Sequence, residues 1–150
     1  MSLSAFELQQ AQWRDLVGGF ILAFGDVEVV TLLLWKDHGK GTAPPFKTRV
    51  DRLLTVLKNI EPRNEELISC LEKAHKMADK RNIIAHNPVQ AQVFEHGRTR
   101  ELFAELAISS PAREDYIDDV ALKELRAEAE ALASRLYAAI CVTAKENRTG

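Results

Sequence analysis

The sequence predicts a mainly α-helical protein: an antiparallel bundle of about four long helices with a small β-hairpin inserted after the third. Apolar residues recur at helical spacing over most of the chain, helix caps and proline or glycine turns separate these segments, and one short stretch alternates instead. The 150 residues, 46 % of them hydrophobic, are enough for one domain with its own core. We therefore expect a single domain over residues 1–150.

The first helical segment begins at Ser4, which can cap a helix whose first turn contains Glu7. The three glycines within 18–25 are expected to weaken this helix and to kink or split it. The apolar block 27–35 is rich in β-branched residues, so a strand is an alternative there. Helix is favoured because the pattern continues from the preceding segment.

Two further helices follow the glycine- and proline-rich loop 37–45. Apolar residues at helical spacing predict a helix over 46–60. Asn64, followed by two glutamates, is a typical N-terminal signature for the next helix. That helix is expected to end near His86, because the Asn87-Pro88 pair cannot continue the backbone hydrogen-bond ladder.

The pattern then changes to alternation, which is typical of strands. Residues 89–93 and 102–108 both alternate, with a His-Gly turn signal between them. This predicts a two-stranded hairpin, with a helix over 100–107 as the alternative. A loop is expected at 109–111.

The last segment, from about Tyr116 to Lys145, is rich in alanine, leucine, glutamate and arginine and predicts a long helix. Its packing seam is expected at Leu122, Leu125, Ala129, Leu132, Leu136 and Ile140.

Composition limits the classes of function. The net charge of −2 provides no global positive field, so a nucleic-acid site would have to be a local patch. The cysteines, Cys70 and Cys141, form no CxxC pair and indicate reduced, buried thiols of a cytosolic protein. The longest charge-free run near the N-terminus, 16–25, is shorter than the roughly 20 residues of a membrane span. We therefore expect a soluble, cytoplasmic chain without membrane contact.

Metal and cofactor sites are not predicted. The four histidines and two cysteines lack the ligand spacing of a zinc site. The loop at 39–42 has neither the length nor the context of a phosphate-binding loop. No cofactor is expected.

The most informative segment is Lys80 to Pro88, which contains Arg81, Asn82 and His86. An Arg-x4-His pair alone is weak evidence, but requiring Asn directly after the Arg lowers the chance expectation to about 0.01 per chain. The histidine also falls at the end of a predicted helix, beside its stop signal.

This Arg-Asn-x3-His motif, at the end of the third main helix of a small α-helical domain, resembles the HEPN superfamily, whose signature is Arg-x4–6-His. The six motif residues carry the resemblance, and the helical layout from about Phe46 onward is compatible with it. It implies a homodimer built around these helices and, in active members, metal-independent endoribonuclease activity in defence or toxin–antitoxin systems. Other members are inactive or serve as RNA- or protein-binding modules.

One departure concerns the toxin role. HEPN toxins that pair with minimal nucleotidyltransferases usually carry a tyrosine two residues after the histidine, whereas Asn87 and Pro88 follow His86 here. The departure argues against control by modification of such a tyrosine. An antitoxin or another partner protein stays among the expected partners, together with RNA.

The spacing of the motif has a geometric consequence. Arg81 and His86 are five residues apart, which places them about 140° apart around one helix. Asn82 and His86 share a face. The stripe Leu67, Leu71, Ala78 and Ala85 is expected to face the core, with Arg81 on one flank and His75, Asn82 and His86 on the other. A two-fold axis near this helix could bring the motifs of two chains into one cleft.

These side chains suit cleavage of RNA by its own 2′-hydroxyl. A histidine can remove the 2′-proton or protonate the leaving 5′-oxygen, which suits His86. Arg81 can stabilise charge on the phosphate, and Asn82 can hold the imidazole in one tautomer. Lys73, Lys76 and Lys80 add a basic side to the helix.

Two alternatives assign the motif no catalytic role. Arg81 and His86 can serve only to cap and neutralise the helix C-terminus, or the domain can be a non-catalytic binding module or a structural dimer. An open cleft shared by Arg81 and His86 would favour catalysis. A buried Arg81 paired with a carboxylate of its own chain would count against it.

Overall fold

The computed structural model describes residues 4–109 and 116–146. Within them the chain forms four helices and three strands: α1 (Ala5–His38), α2 (Phe46–Leu57), α3 (Glu65–His86), β1 (Val89–Glu95), β2 (Leu102–Ser109), β3 (Tyr116–Ile117) and α4 (Asp119–Glu146). The predicted class, a mainly α-helical bundle with a small antiparallel β insertion after the third helix, is confirmed.

The first helix, α1, is continuous over 34 residues. Ser4 forms a capping box with Glu7: the Ser4 hydroxyl accepts a hydrogen bond from the Glu7 amide at 3.2 Å, and the Glu7 carboxylate accepts one from the Ser4 amide at 2.8 Å. The hydrogen bond from the Ser4 amide and, to a smaller extent, one from the Ser4 hydroxyl to the same carboxylate at 2.9 Å lower the pKa of Glu7. Because α1 is continuous, the predicted split at the glycines and the alternative strand over 27–35 are wrong. Packing overrides local propensity here, because one face of α1 is buried along its length.

The predicted boundaries of the middle helices are nearly correct. α2 ends at Leu57 rather than Ile60. The Asn64 side chain caps α3 by accepting a hydrogen bond from the Leu67 amide at 3.0 Å. At the other end, the Asn87 amide donates to the Ile83 carbonyl at 3.1 Å, and α3 ends as expected.

The insertion is a three-stranded antiparallel sheet in the order β1-β2-β3. β1 pairs with β2 in a register that places Val89 opposite Ile108, so the alternative helix over 100–107 is wrong. Ser109, predicted in a loop, belongs to β2, and the other loop residues, 110–111, lie outside the described part. Buried Ile108 and Ile117 attach the sheet to the bundle core.

The start of the last helix differs from the prediction. Tyr116 and Ile117, expected to be helical, instead pair with the end of β2. α4 begins at Asp119 because the carboxylate of Asp118 accepts a hydrogen bond from the Ala121 amide at 2.8 Å and so caps the helix. The predicted seam is confirmed, with each of its six residues buried or half-buried against the core.

The core lies between α1 and the other three helices, which all pack against it. Trp13 and Trp35, both on α1, are buried in this core. Cys70 is buried as predicted, but Cys141 is exposed, because it lies outside the buried seam of α4. On α3, Ala85 is exposed and Ile84 is buried instead, so the predicted stripe shifts by one residue at its end.

One helix of the described residues, α1, has the length and composition of a membrane span. It contains an 18-residue window of mean hydropathy 1.9, of which 33 % is buried within the fold. A core helix of a soluble protein has the same properties, so the cytoplasmic location stays a prediction.

Truncation of the core is expected to destabilise the bundle. Leu71 is completely buried, and Leu71→Ala should lower the free energy of unfolding by about 3 kcal/mol through lost burial and the cavity left behind. Leu102, 73 % exposed, is the matched control, and Leu102→Ala should change stability by less than about 0.5 kcal/mol. Urea denaturation followed by circular dichroism measures both, and equal effects would contradict the placement of Leu71.

A salt bridge between α3 and α4 predicts a pH-dependent contribution to stability. The Arg135 Nε donates to a Glu66 carboxylate oxygen at 2.7 Å, and this hydrogen bond lowers the pKa of Glu66. Because the pKa is lower in the folded state, the contribution is present above the unfolded-state pKa and is lost as pH falls through the folded value.

Glu66→Gln should therefore be less stable than the wild type at pH 7, and the two should converge in acid once the Glu66 carboxylate of the folded wild type is protonated. The control is Glu65→Gln, next to it in the same first helical turn but bound to Arg63 rather than Arg135. A difference between Glu66→Gln and the wild type that persists in acid would exclude this ion pair as its cause.

Candidate functional site

The motif arginine lies in the last turns of α3 and faces α1. Its guanidinium pairs with Glu28 of α1, with 3.2 Å between Arg81 Nη2 and Glu28 Oε1. Both side chains are about one-third exposed, at 34 % and 30 %. Arg81 Nη1 also donates to the Asn82 side-chain oxygen at 3.1 Å. Arg81 is thus held by one neighbour in α3 and one across the bundle.

Arg81 and Asn82 open onto a cleft of about 340 Å³ between α1, α2 and α3. Its walls are Phe24, Glu28, Pro45, Phe46, Lys47, Ala78, Arg81 and Asn82. The lining thus combines apolar side chains with three charged ones, Glu28, Lys47 and Arg81. At the rim, the Lys47 ammonium contacts the Asp79 carboxylate at 3.0 Å. A ligand with one anionic group and one flat apolar group would match this lining.

Arg49, which is buried, contacts residues of α1 and α2 next to this cleft. Arg49 Nε donates to the Thr31 hydroxyl at 3.0 Å, and that hydroxyl donates to the Glu28 carbonyl at 2.7 Å. The Arg49 guanidinium also lies 5.6 Å from the centre of the Phe46 ring. Burial lowers the pKa of Arg49 and the nearby charge of Glu28 opposes this shift. Glu28 is therefore the carboxylate that two arginines share electrostatically.

The motif histidine is placed differently. His86 is exposed at the end of α3 and is not part of the cleft wall. Asn82 is exposed as well, but its side-chain oxygen accepts from Arg81 rather than contacting the imidazole. The structure thus brings Arg81 and Asn82 together in one cleft wall without His86, and the separation of His86 from Arg81 agrees with the 140° expected from their spacing.

The criterion against catalysis is partly met. Arg81 is paired with a carboxylate of its own chain, but it is half-buried rather than buried and still lines an open cleft. His75, which the spacing placed beside Asn82, has its own partner, with 3.1 Å between its Nε2 and an Asp51 oxygen.

The lysines of the motif helix form a second feature. Lys73, Lys76 and Lys80 line a groove of about 530 Å³ between α3 and α4, so they share one side as expected. Arg135 of α4 adds a fourth basic group, Glu128 is the acidic residue of the lining, and Met77, Leu125 and Leu132 are among its apolar residues. This surface is a local positive patch on a chain of slightly negative net charge.

Sequence reasoning missed the residues that complete the cleft. None of Glu28, Phe46 and Lys47 was identified as a site residue from the sequence. No local signal identifies Glu28 as the partner of Arg81, because the two residues are 53 positions apart in the sequence.

Among the described residues, no group of three or more histidine, cysteine, aspartate or glutamate side chains is arranged to hold a metal ion. No family model matches the sequence, and no curated protein or solved structure is significantly similar to it. The class of the protein therefore rests on its fold and on this site.

The Glu28–Arg81 pair should be measurable by a double-mutant cycle. For a pair that is one-third exposed we expect a coupling energy of about 0.5–1 kcal/mol from Glu28→Gln, Arg81→Met and the double variant. The more exposed Lys47–Asp79 pair is the reference, with an expected coupling below about 0.5 kcal/mol. Urea unfolding measures both cycles, and a coupling near zero for Glu28–Arg81 would show that the pair contributes nothing in solution.

Proposed function

We propose that this chain is a HEPN-like cytoplasmic domain that acts as a homodimer and cleaves RNA through the substrate's own 2′-hydroxyl, without a metal ion. The observation that carries the proposal is the arrangement at the end of α3. Arg81 and Asn82 line an open cleft, and an exposed histidine follows one turn later. A phosphodiester bound between the motifs of two associated chains would meet a guanidinium and an imidazole, the two groups that the reaction needs.

In the proposed reaction, the 2′-oxygen attacks the adjacent phosphorus and the bond from phosphorus to the 5′-oxygen breaks. One His86 takes the 2′-proton, and the His86 of the second chain gives a proton to the departing 5′-oxygen. Arg81 donates hydrogen bonds to the phosphate oxygens as negative charge increases on them. The products are a 2′,3′-cyclic phosphate and a 5′-hydroxyl, and atoms and protons balance without a further reactant.

Two other features support an RNA substrate. The groove with Lys73, Lys76 and Lys80 lies on the same helix as the motif and offers cations to a phosphate backbone. Phe46 in the cleft wall offers a ring against which a base can stack.

A second candidate, a non-catalytic HEPN-like module that binds RNA or a partner protein such as an antitoxin, is favoured by one specific observation. Arg81 is already neutralised by Glu28 of its own chain, and His86 is not in the same cleft. In such a module Arg81 serves structure, and binding occurs on the exposed surface around it.

Cleavage of end-labelled RNA in EDTA tests the proposal. Wild-type protein should produce fragments with cyclic phosphate ends, and both His86→Ala and Arg81→Ala should reduce the rate by at least ~100-fold, the scale of general acid–base catalysis. The matched control is His96→Ala, which removes an exposed histidine outside α3 and should leave the rate unchanged.

Circular dichroism establishes that each variant is folded. No cleavage over a broad panel of RNAs, or cleavage that survives both motif substitutions, would overturn the nuclease and leave the binding module. RNA binding that is retained in His86→Ala and reduced in Lys76→Glu would then support that module.

A further inference from the structure

The outward side of α1 carries an uncovered apolar stripe. We define the α1 seam as Gly18, Leu22, Gly25, Val29 and Leu32, which are exposed or half-exposed. Leu22 is 74 % exposed, more than any other large hydrophobic residue of α1 whose exposure the structure describes. A contiguous apolar surface of this kind is typical of an interaction site.

The spacing of the seam matches helix-to-helix packing. Its members are four, three, four and three residues apart, the heptad pattern by which two helices pack against each other. A Cβ added at Gly18 or Gly25 would meet nothing within 4 Å. The glycines are therefore not required by packing inside the chain, although each weakens a helix by about 1 kcal/mol relative to alanine. Their absent side chains would let a second helix approach closely.

We propose that the α1 seam binds the α1 seam of a second copy of this chain in antiparallel orientation. In such a symmetric pair, residues on one flank of the seam face residues on the same flank of the partner. Arg14 and Glu28 lie on one flank, 14 residues or two heptads apart. An antiparallel pair centred between them places each Arg14 against Glu28 of the second copy, so the charges are complementary in two symmetric contacts.

The same centre fits the other features of the seam. Three pairs of positions on α1 have the same midpoint, at residues 21–22. They are Arg14 and Glu28, Gly18 and Gly25, and the two ends of the helix, Ala5 and His38. A two-fold axis at Leu22 therefore pairs the two helices over their whole length, places glycine opposite glycine and buries the most exposed leucine at the centre.

The pairing has a consequence for the cleft, and this part rests on the proposed function. Glu28 is the partner of Arg81 within one chain. When Arg14 of the second copy takes up the Glu28 carboxylate, Arg81 loses its counter-ion and becomes available to a phosphate. Association through the α1 seam would in this way activate the site.

Sedimentation equilibrium of the full chain tests the association. Wild type should be a dimer, and Leu22→Asp should weaken dimerisation by at least ~30-fold, the loss expected for a central anchor. The control is Leu102→Asp, at a leucine of equal exposure (73 %) in β2, which should dimerise like the wild type. Since neither leucine is in the core, both variants should keep the wild-type circular dichroism.

A monomeric wild type, or a Leu22→Asp variant that dimerises normally, would overturn the proposal. Monomeric wild type that floats with phosphatidylcholine vesicles would instead assign the seam to a lipid surface, and this outcome also overturns it.

Disulfide trapping tests the antiparallel orientation. In a Cys141→Ser background, which removes the exposed thiol, Leu22→Cys should form a disulfide-linked dimer on oxidation. Leu32→Cys should not, because the two copies of residue 32 would lie about 30 Å apart, far beyond disulfide reach. A parallel pair would form a disulfide at both positions, and that result would contradict the antiparallel orientation.

A glycine variant separates this inference from the proposed function. Gly25→Leu should raise the thermal stability of the isolated chain while it weakens dimerisation and, with it, RNA cleavage. If wild type dimerises through the seam but never cleaves RNA, the interface stands and the nuclease fails. If Gly25→Leu loses association through the seam but still cleaves RNA at the wild-type rate, RNA cleavage stands, whereas activation through the seam and the need for a second His86 both fail.

Discussion

The whole structure depends on α1, because its inner face forms much of the core and its outer face presents apolar side chains to solvent. This 34-residue helix is the element against which α2, α3 and α4 all pack, so its inner face contains the large buried residues Phe20, Phe24 and Val27. The same helix keeps Leu22 and Val29 outward. Burial of the inner face explains why three glycines do not interrupt the helix, since tertiary packing outweighs their combined propensity penalty.

A second constraint follows from the polar groups at the point where α1 meets α2 and α3. Arg49 is buried, and its guanidinium must be hydrogen-bonded there. It donates to Thr31 and to the Pro44 carbonyl, and Glu28 supplies the nearby negative charge. Because Glu28 also binds Arg81, one carboxylate connects a structural arginine with the motif arginine. The electrostatics of the cleft therefore cannot be separated from the stability of the bundle.

The local parts of this fold could be predicted from the sequence because their causes are local. Ser4, Asn64 and the Asn87-Pro88 pair each mark a helix end through a contact within four residues. The hairpin follows from alternation within its own strands. β3 could not be predicted in the same way, since two residues, Tyr116 and Ile117, become a strand only by pairing with β2.

The candidate site was predictable to a similar extent. The motif residues and their angular separation on α3 follow from spacing alone, but the partner of Arg81 lies on another helix and leaves no local trace. That partner decides the chemistry. An arginine whose charge is balanced by a carboxylate attracts a phosphate less strongly than an arginine whose carboxylate is engaged elsewhere. The functional question for this protein is therefore what competes with Arg81 for Glu28, and the exposed side of the helix that carries Glu28 is the surface from which a competitor can reach it.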